Sequence, residues 1–342
     1  MWPEWKTGPR SFNEPRTNTE INQSRLNFDR IMSTVSVVIT TYFRNDQLQR
    51  AIESVIHQPN VDADIYVIDM SGRETARPVA EEYGVRYVPI RSFSVDNALE
   101  QVAIARDIGA SISDGDYLYF LDDDNVVVNG GLSRLVEALE DDVGVACCIM
   151  DGLLTPQQIY PFFASDEVVD PEAVLEFTLM NLVAPFSLSG MLIERDTLEA
   201  IPPMRELPHD DIAVVIELAA VTGFSTVGEK LVEMQGYHGL SLTEDSIEGR
   251  IALFEHYAEV YDHLPDTIEQ YGQSRKHFLL AKLELLDRRW SPRMIYHYGK
   301  YAYHYPDATK VQYLTAVASL FGRSGVQTLW SRMDSMDATG GW

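Results

Sequence analysis

Residues 114–125 read DGDYLYFLDDDN: a turn at Asp114-Gly115-Asp116, a run of large apolar side chains, and then Asp122, Asp123, Asp124 and Asn125. The stretch Asp116–Asp122 has apolar residues at consecutive positions, the pattern of a strand covered on both faces. Working outward, VSVVIT (Val35–Thr40), DIYVIDM (Asp64–Met70), VRYVPI (Val85–Ile90) and VGVACCIM (143–150) have the same character. Between them lie helical patterns. The first places Leu48, Ile52, Val55 and Ile56 on one face behind a capping Asp46, the second covers Arg73–Tyr83, the third Ala98–Ser113, and the fourth is LSRLVEALE (132–140). This β-α alternation predicts a mainly parallel α/β sheet with helices on both faces. Ligands of such sheets bind beyond the carboxyl ends of the strands, where the acidic run falls.

Composition narrows the classes. Of 342 residues, 45% are apolar and 23% charged, which is globular composition. Asp and Glu number 52 against 27 Lys and Arg, for a net charge of −25. A polyanionic partner is therefore disfavoured, and no nucleic-acid role is expected. Six lysines against 21 arginines, on so acidic a chain, suit a surface that stays hydrated in concentrated salt, so a salt-loving source is expected. No apolar run reaches the ~18 residues of a membrane span, and the first 20 residues lack the apolar core of a signal peptide. A soluble, cytoplasmic protein is expected, working at the inner face of the membrane. The adjacent Cys147 and Cys148 point to opposite faces of a strand and read as buried small hydrophobes, with no disulfide or zinc site.

The expected organisation is an N-terminal extension over 1–33, an α/β domain over 34–245 and a helical region over 246–342. Past 150, FSLSGMLIERDTL suggests a strand and short helix, Pro208–Gly223 a helix with acidic residues in its first turn, and residues 224–238 strand-like segments ending at His238. The aromatic residues from Tyr257 to Tyr313 read first as core packing.

Several local signals carry chemistry. Three carboxylates at one strand end repel one another unless cations or donors are present. An Asp-x-Asp pair offers two hard oxygens suited to Mg²⁺ or Mn²⁺ on a diphosphate. An EF-hand loop beginning at Asp122 would place Val126 and Ser133 at ligand positions, so calcium of that kind is excluded. His209-Asp210-Asp211 could cap a helix or supply a base. His238 is flanked by Gly236 and Gly239, which permit close backbone approach. The first strand ends in Thr40-Thr41-Tyr42 with no glycine-rich loop, which argues against dinucleotide and Walker-type sites and weakens a pyrophosphorylase reading.

The order and spacing of VVITTYFRNDQLQRAIESVIHQ, YVIDMSG, ARDIGASISDGDYLYFLDDDN, HDDIAVVIELAAVTG and GYHGLSL resemble family 2 glycosyltransferases of the GT-A fold, over Val35 to Leu242. The resemblance implies a nucleoside-diphosphate-sugar donor, a divalent metal and inversion at the anomeric carbon. It implies Thr40 and Tyr42 around the base, Asp69 on the base or ribose, and Arg106 as the family's recurrent arginine beside the nucleotide sugar. It further implies Asp122 and Asp124 on Mn²⁺ or Mg²⁺, Asp123 near the ribose, Asp211 or Asp210 as general base, and His238 on the metal or diphosphate. The acceptor is expected to be a glycan on a lipid carrier or a protein. The family's acidic motif usually reads Glu-Asp followed by an aromatic, whereas here it is Asp210-Asp211-Ile212. A catalytically silent GT-A domain serving as scaffold or sugar-binding module is the alternative.

Overall fold

The computed structural model describes residues 34–140, 142–150, 162–163, 168–235 and 243–334. Strands β1 (Thr34–Thr41), β2 (Asp62–Asp69), β3 (Arg86–Pro89), β4 (Tyr117–Asp122), β5 (Asn125–Val127), β6 (Val145–Met150), β7 (Val168–Val169), β8 (Met191–Glu194) and β9 (Phe224–Met234) form one sheet. Its order is β3-β2-β1-β4-β8-β6-β9-β5, with β7 on β9. β1 pairs in parallel with β2 and β4, and β2 with β3. β8 then runs antiparallel to both β4 and β6, while β6 and β9 are parallel. The sheet is thus mixed, with its longest parallel block exactly as wide as β3-β2-β1-β4.

Alternate strand residues divide between two cores, because successive side chains point to opposite faces. Val37, Ile39, Val67, Tyr119 and Leu121 pack with Leu48, Ile52 and Val55 of helix α1 (Asn45–Ile56) and with the helix Gly131–Ala138, here α4. Val38, Tyr66, Ile68, Leu118 and Phe120 face helices α3 (Ala98–Ile112) and α7 (Asp210–Val221). The intervening helices are α2 (Arg77–Tyr83), α5 (Pro171–Asn181) and α6 (Arg195–Glu199). Cys147 and Cys148 are buried, one in each core.

Some sequence readings are corrected. Asp46 lies in the first turn of α1 and does not cap it, since the helix starts at Asn45 behind Arg44. Ile56 is exposed at the last turn. The second helix begins only at Arg77, because residues 70–76 form a loop. β9 is one strand of 11 residues.

Helix α8 (Glu244–His256) spans the expected boundary at 245, and its Ile247, Leu253 and Phe254 join the core over the sheet. Beyond it come α9 (Ala258–Tyr261), α10 (Asp266–Asp287), α11 (Pro292–His304), α12 (Lys310–Ser319) and α13 (Gly322–Asp334). Helices α10, α11 and α13 share a separate core of Ala281, Met294, Tyr298, Tyr301 and Val326, against which Ala316 of α12 packs. The aromatic stretch is divided: Tyr298 and Tyr301 are buried, but Tyr296, Tyr303 and Tyr313 are exposed.

Helix α3 lies close against β1 because of Gly109, where an added Cβ would come within 2.3 Å of Val38 Cγ1. Gly109→Val should therefore cost roughly 1–3 kcal/mol of stability. Urea unfolding is the measurement, and Val38→Ala should recover part of the loss in a Gly109→Ala background.

Candidate functional site

Strand register gathers the site. Thr41 lies opposite Asp69, and Thr40 opposite Asp122, so three neighbouring strands end together. The turn after β1 is tied to the turn after β4. Thr41 Oγ1 donates to Asp123 Oδ2 at 2.8 Å, and the Tyr42 N–H donates to the same oxygen at 3.3 Å. Arg44 Nη1 donates to Asp123 Oδ1 at 3.1 Å and to Asp124 Oδ2 at 2.8 Å. Burial pushes Asp123 up to about 6, against the opposing pull of the Thr41 hydrogen bond and Arg44. Asp124 is also raised, by burial and by the charge of Asp122.

Arg106 joins the other half. It lies in the middle of α3, and its guanidinium, 4% exposed, reaches the sheet end. Nη2 donates to Asp122 Oδ1 at 2.8 Å, and Nη1 donates to Asp210 Oδ2 at 2.6 Å and to Asp211 Oδ1 at 2.5 Å. Burial works against the charge on Arg106, but Asp211, Asp210 and Asp122 hold its pKa well above the ordinary arginine value. The two carboxylates of α7 differ. Asp210 is buried, and burial lifts it to about 7 despite Arg106. Asp211 is 46% exposed. The cost of removing it from water is outweighed by Arg106 and then His209, which hold it below the ordinary carboxylate range. His209 itself is pushed down to about 4 by burial, so it is neutral at pH 7. Its Nε2 lies 3.3 Å from Ser246 Oγ, while Nδ1 has no partner among the described residues.

The remaining expected residues are placed as follows. Thr40 is buried at the end of β1, and Tyr42 is exposed beside it. Asp69 is 1% exposed and turned inward: Oδ1 accepts from Ser71 N at 2.8 Å, and Oδ2 from Ala76 N and the Tyr87 hydroxyl, each at 2.9 Å. It anchors the 70–76 loop, and these donors outweigh burial to lower its pKa. His238 lies outside the described residues. Among the described residues, no three His, Cys, Asp or Glu side chains are arranged to hold a metal.

Three features escaped sequence reading. Arg44, the first basic residue after β1, pairs with two members of the acidic run. Ser189, buried in the apolar FSLSG stretch, has its hydroxyl 2.9 Å from Asn125 Nδ2, from which it accepts, and 3.2 Å from the Asp122 N–H. Asn45 and Thr75 line an open groove of about 500 Å³ with Phe43, Arg44, Asp46 and Gln47. Asn45 Nδ2 donates to the Thr75 carbonyl at 2.8 Å, but Asn45 Oδ1 and Thr75 Oγ1 are buried without partners among the described residues. The single basic residue in TYFRN was the only available signal for any of these.

Residues 36–159 match the family model described as glycosyl transferase family 2. That segment runs from within β1 to beyond β6 and contains the whole Asp122–Asp124 run. The chain is 30% identical over 118 residues to the uncharacterized glycosyltransferase YibD of Escherichia coli K12, covering 34% of each chain. It is 27% identical over 106 residues to a GalNAc(5)-diNAcBac-PP-undecaprenol β-1,3-glucosyltransferase of Campylobacter jejuni, covering 31% of this chain and 34% of that protein. The chain spans 25% to 36% of the length of the first three curated relatives it matches. Residues 1–349 of S. aureus TarS, solved with UDP-GlcNAc, superpose with a TM-score of 0.55 at 15% identity, over 90% of this chain and 92% of that one. The fold is GT-A, with a helical C-terminal region.

Arg106→Met should destabilise the protein by about 3–5 kcal/mol, because it leaves the buried Asp210 carboxylate uncompensated. Adding Asp210→Asn should restore part of that loss in chemical denaturation. The pH dependence follows from the same carboxyl. A folded pKa of about 7, raised from 3.8, binds its proton more tightly than the unfolded chain does. Its stabilising contribution is complete below pH 3.8 and is lost as pH rises to about 7. Asp210→Asn should remove that part of the pH dependence from unfolding measured across this window.

Proposed function

We propose that this chain is an inverting, metal-dependent glycosyltransferase that moves a sugar from a nucleoside-diphosphate sugar to an acceptor hydroxyl. The observation that carries the reading is Arg106, which draws Asp122 at the end of β4 and Asp210-Asp211 at the start of α7 into one site. The family 2 match over residues 36–159 and the GT-A fold support it.

The donor set suits a hard divalent cation. Asp122 binds Arg106 through Oδ1 and accepts from the Ser189 hydroxyl at Oδ2 at 3.4 Å, Asp124 binds Arg44 through Oδ2, and the Asp122 side chain is 37% exposed. Asp122 and Asp124, with His238, would hold Mn²⁺ or Mg²⁺. Such an ion, when bound, neutralises charge that develops on the departing diphosphate.

The chain's own residues do the rest. The groove beside Arg44 would seat the base and ribose, where the unpartnered Asn45 Oδ1 and Thr75 Oγ1 offer hydrogen bonds. Thr40 and Tyr42 border that seat at the end of β1. Asp123 and Asp69 shape it from below, Asp123 by fixing the β1–α1 turn and Asp69 by fixing the 70–76 loop. Arg106 acts as a positioning residue that orients Asp211.

Asp211 is the general base of this reading. It is the more exposed member of its pair and is ionised at neutral pH, so it can accept the acceptor hydroxyl's proton. The deprotonated oxygen then forms the new bond at the anomeric carbon as the bond to the diphosphate breaks on the opposite face. A single displacement inverts configuration. Asp210, buried and raised, keeps the start of α7 in place. The acceptor is a glycan on a lipid carrier or a protein, met at the inner face of a membrane.

The test is thermal stability with UDP, GDP, CMP or dTDP, each with and without Mn²⁺. One nucleotide should stabilise only together with metal, by about 2.7 kcal/mol at a hundredfold excess over Kd. Asp124→Ala should abolish the shift. Asp211→Asn should retain it while lowering transfer roughly 10²- to 10⁴-fold. Absence of any metal-dependent shift would favour a silent GT-A scaffold.

A further inference from the structure

Helix α12 is amphipathic in the wrong sense for a protein surface. Its buried face is polar: Gln312, Thr315 and Ser319 are at most 5% exposed. Their side chains are satisfied locally. Gln312 Oε1 accepts from Thr309 N at 2.9 Å, Thr315 Oγ1 donates to Val311 O at 2.9 Å, and Ser319 Oγ donates to Ala316 O at 2.6 Å. The outward face carries Tyr313, Leu314 and Val317, followed by Leu320 and Phe321, all at least half exposed and Phe321 75% exposed. Their spacing of i, i+1, i+4, i+7 and i+8 is that of one helical face. Such a face normally turns inward.

The connection between α10 and α11 extends this patch. Trp290 Nε1 donates to Leu320 O at 3.1 Å, and Arg323 N donates to Arg289 O at 2.8 Å. Exposed Leu286 and Trp290 therefore sit beside Leu320 and Phe321. The rim is basic. Residues 286–323, which span the patch, hold six Lys and Arg against two acidic residues, Asp287 and Asp307, in a chain whose net charge is −25. Arg288 and Arg289 are exposed and make no ion pair among the described residues.

We propose that the outward face of α12, with the α10–α11 and α12–α13 connections, docks on an anionic lipid bilayer surface. Charge complementarity selects this occupant. Around a two-fold axis with a second copy, the basic rim would meet its own like charge. Trp and Tyr beside branched apolar side chains, rimmed by arginine, match the interfacial layer of a membrane with acidic headgroups. Among the described residues no helix is long and apolar enough to cross a membrane, so the contact is peripheral. The inference rests on this patch alone and is independent of the glycosyl-transfer reading.

The experiment is cosedimentation of the full chain with vesicles of phosphatidylcholine alone or containing about 30% phosphatidylglycerol. Partition should be roughly tenfold stronger on the anionic vesicles and should weaken as salt rises towards ~0.5 M. Leu320→Asp with Phe321→Asp, and separately Arg288→Glu with Arg289→Glu, should each reduce it about tenfold. Both variants should keep the wild-type melting temperature and nucleotide response, which separates loss of docking from loss of the nucleotide site. If the apolar variant does not fold, the arginine variant decides. Equal partition on both vesicles, no partition on either, or binding that survives both variants overturns the proposal. So does a dimer in sedimentation velocity that Phe321→Asp dissolves, retention by an acidic protein in place of lipid, or hydrogen-exchange protection of α12 that requires residues 335–342 or 1–33.

Discussion

A single buried guanidinium holds the functional end of this molecule together. Arg106 comes from the middle of α3, and its three carboxylate partners come from the end of β4 and the start of α7. Taking an arginine and Asp210 out of water is expensive, and only close pairing offsets that cost. The pairing in turn requires α3 to lie hard against β1, which Gly109 permits. Backbone packing, buried charge and the exposure of Asp211 are therefore one linked arrangement.

Arg44 performs a parallel task on the other side of the acidic run. Three aspartates in sequence at a strand end would repel, yet each has its own arrangement here. Asp122 goes to Arg106, Asp123 to Thr41, the Tyr42 amide and Arg44, and Asp124 to Arg44. The middle carboxylate is thereby a structural tie between two turns.

The fold was legible in sequence where burial on both faces imposes unbroken β-branched and aromatic runs, as in β1, β2 and β4. Asp122, Asp123 and Asp124 were legible because three adjacent carboxylates have no cheap explanation. What Arg106 does was not, because a buried arginine in a helix has no pattern of its own until its partners, 16 to 105 residues away, are in place. Asp69 illustrates the converse. The family resemblance implied that it binds the base or ribose, and in the fold both of its oxygens accept from Ser71, Ala76 and Tyr87. Ser189 and the unpartnered Asn45 and Thr75 oxygens depend on tertiary contacts that no local spacing encodes. The inverted polarity of α12 was hidden for another reason, since periodicity shows that a helix has two faces without saying which one is turned to water.

The position of β8 governs how the chain can assemble during synthesis. β4 and β6, separated in sequence only by the short β5 and by α4, do not pair with each other, because β8 stands between them and is antiparallel to both. A nascent chain ending before Met191 can form the β3-β2-β1-β4 block, yet that block ends in the bare edge of β4, rich in tyrosine and phenylalanine. Until residues 191–194 leave the ribosome, this edge is a template for pairing with other chains. The segment that closes the sheet is only four residues long, so the edge of β4 stays open to such pairing until those residues emerge.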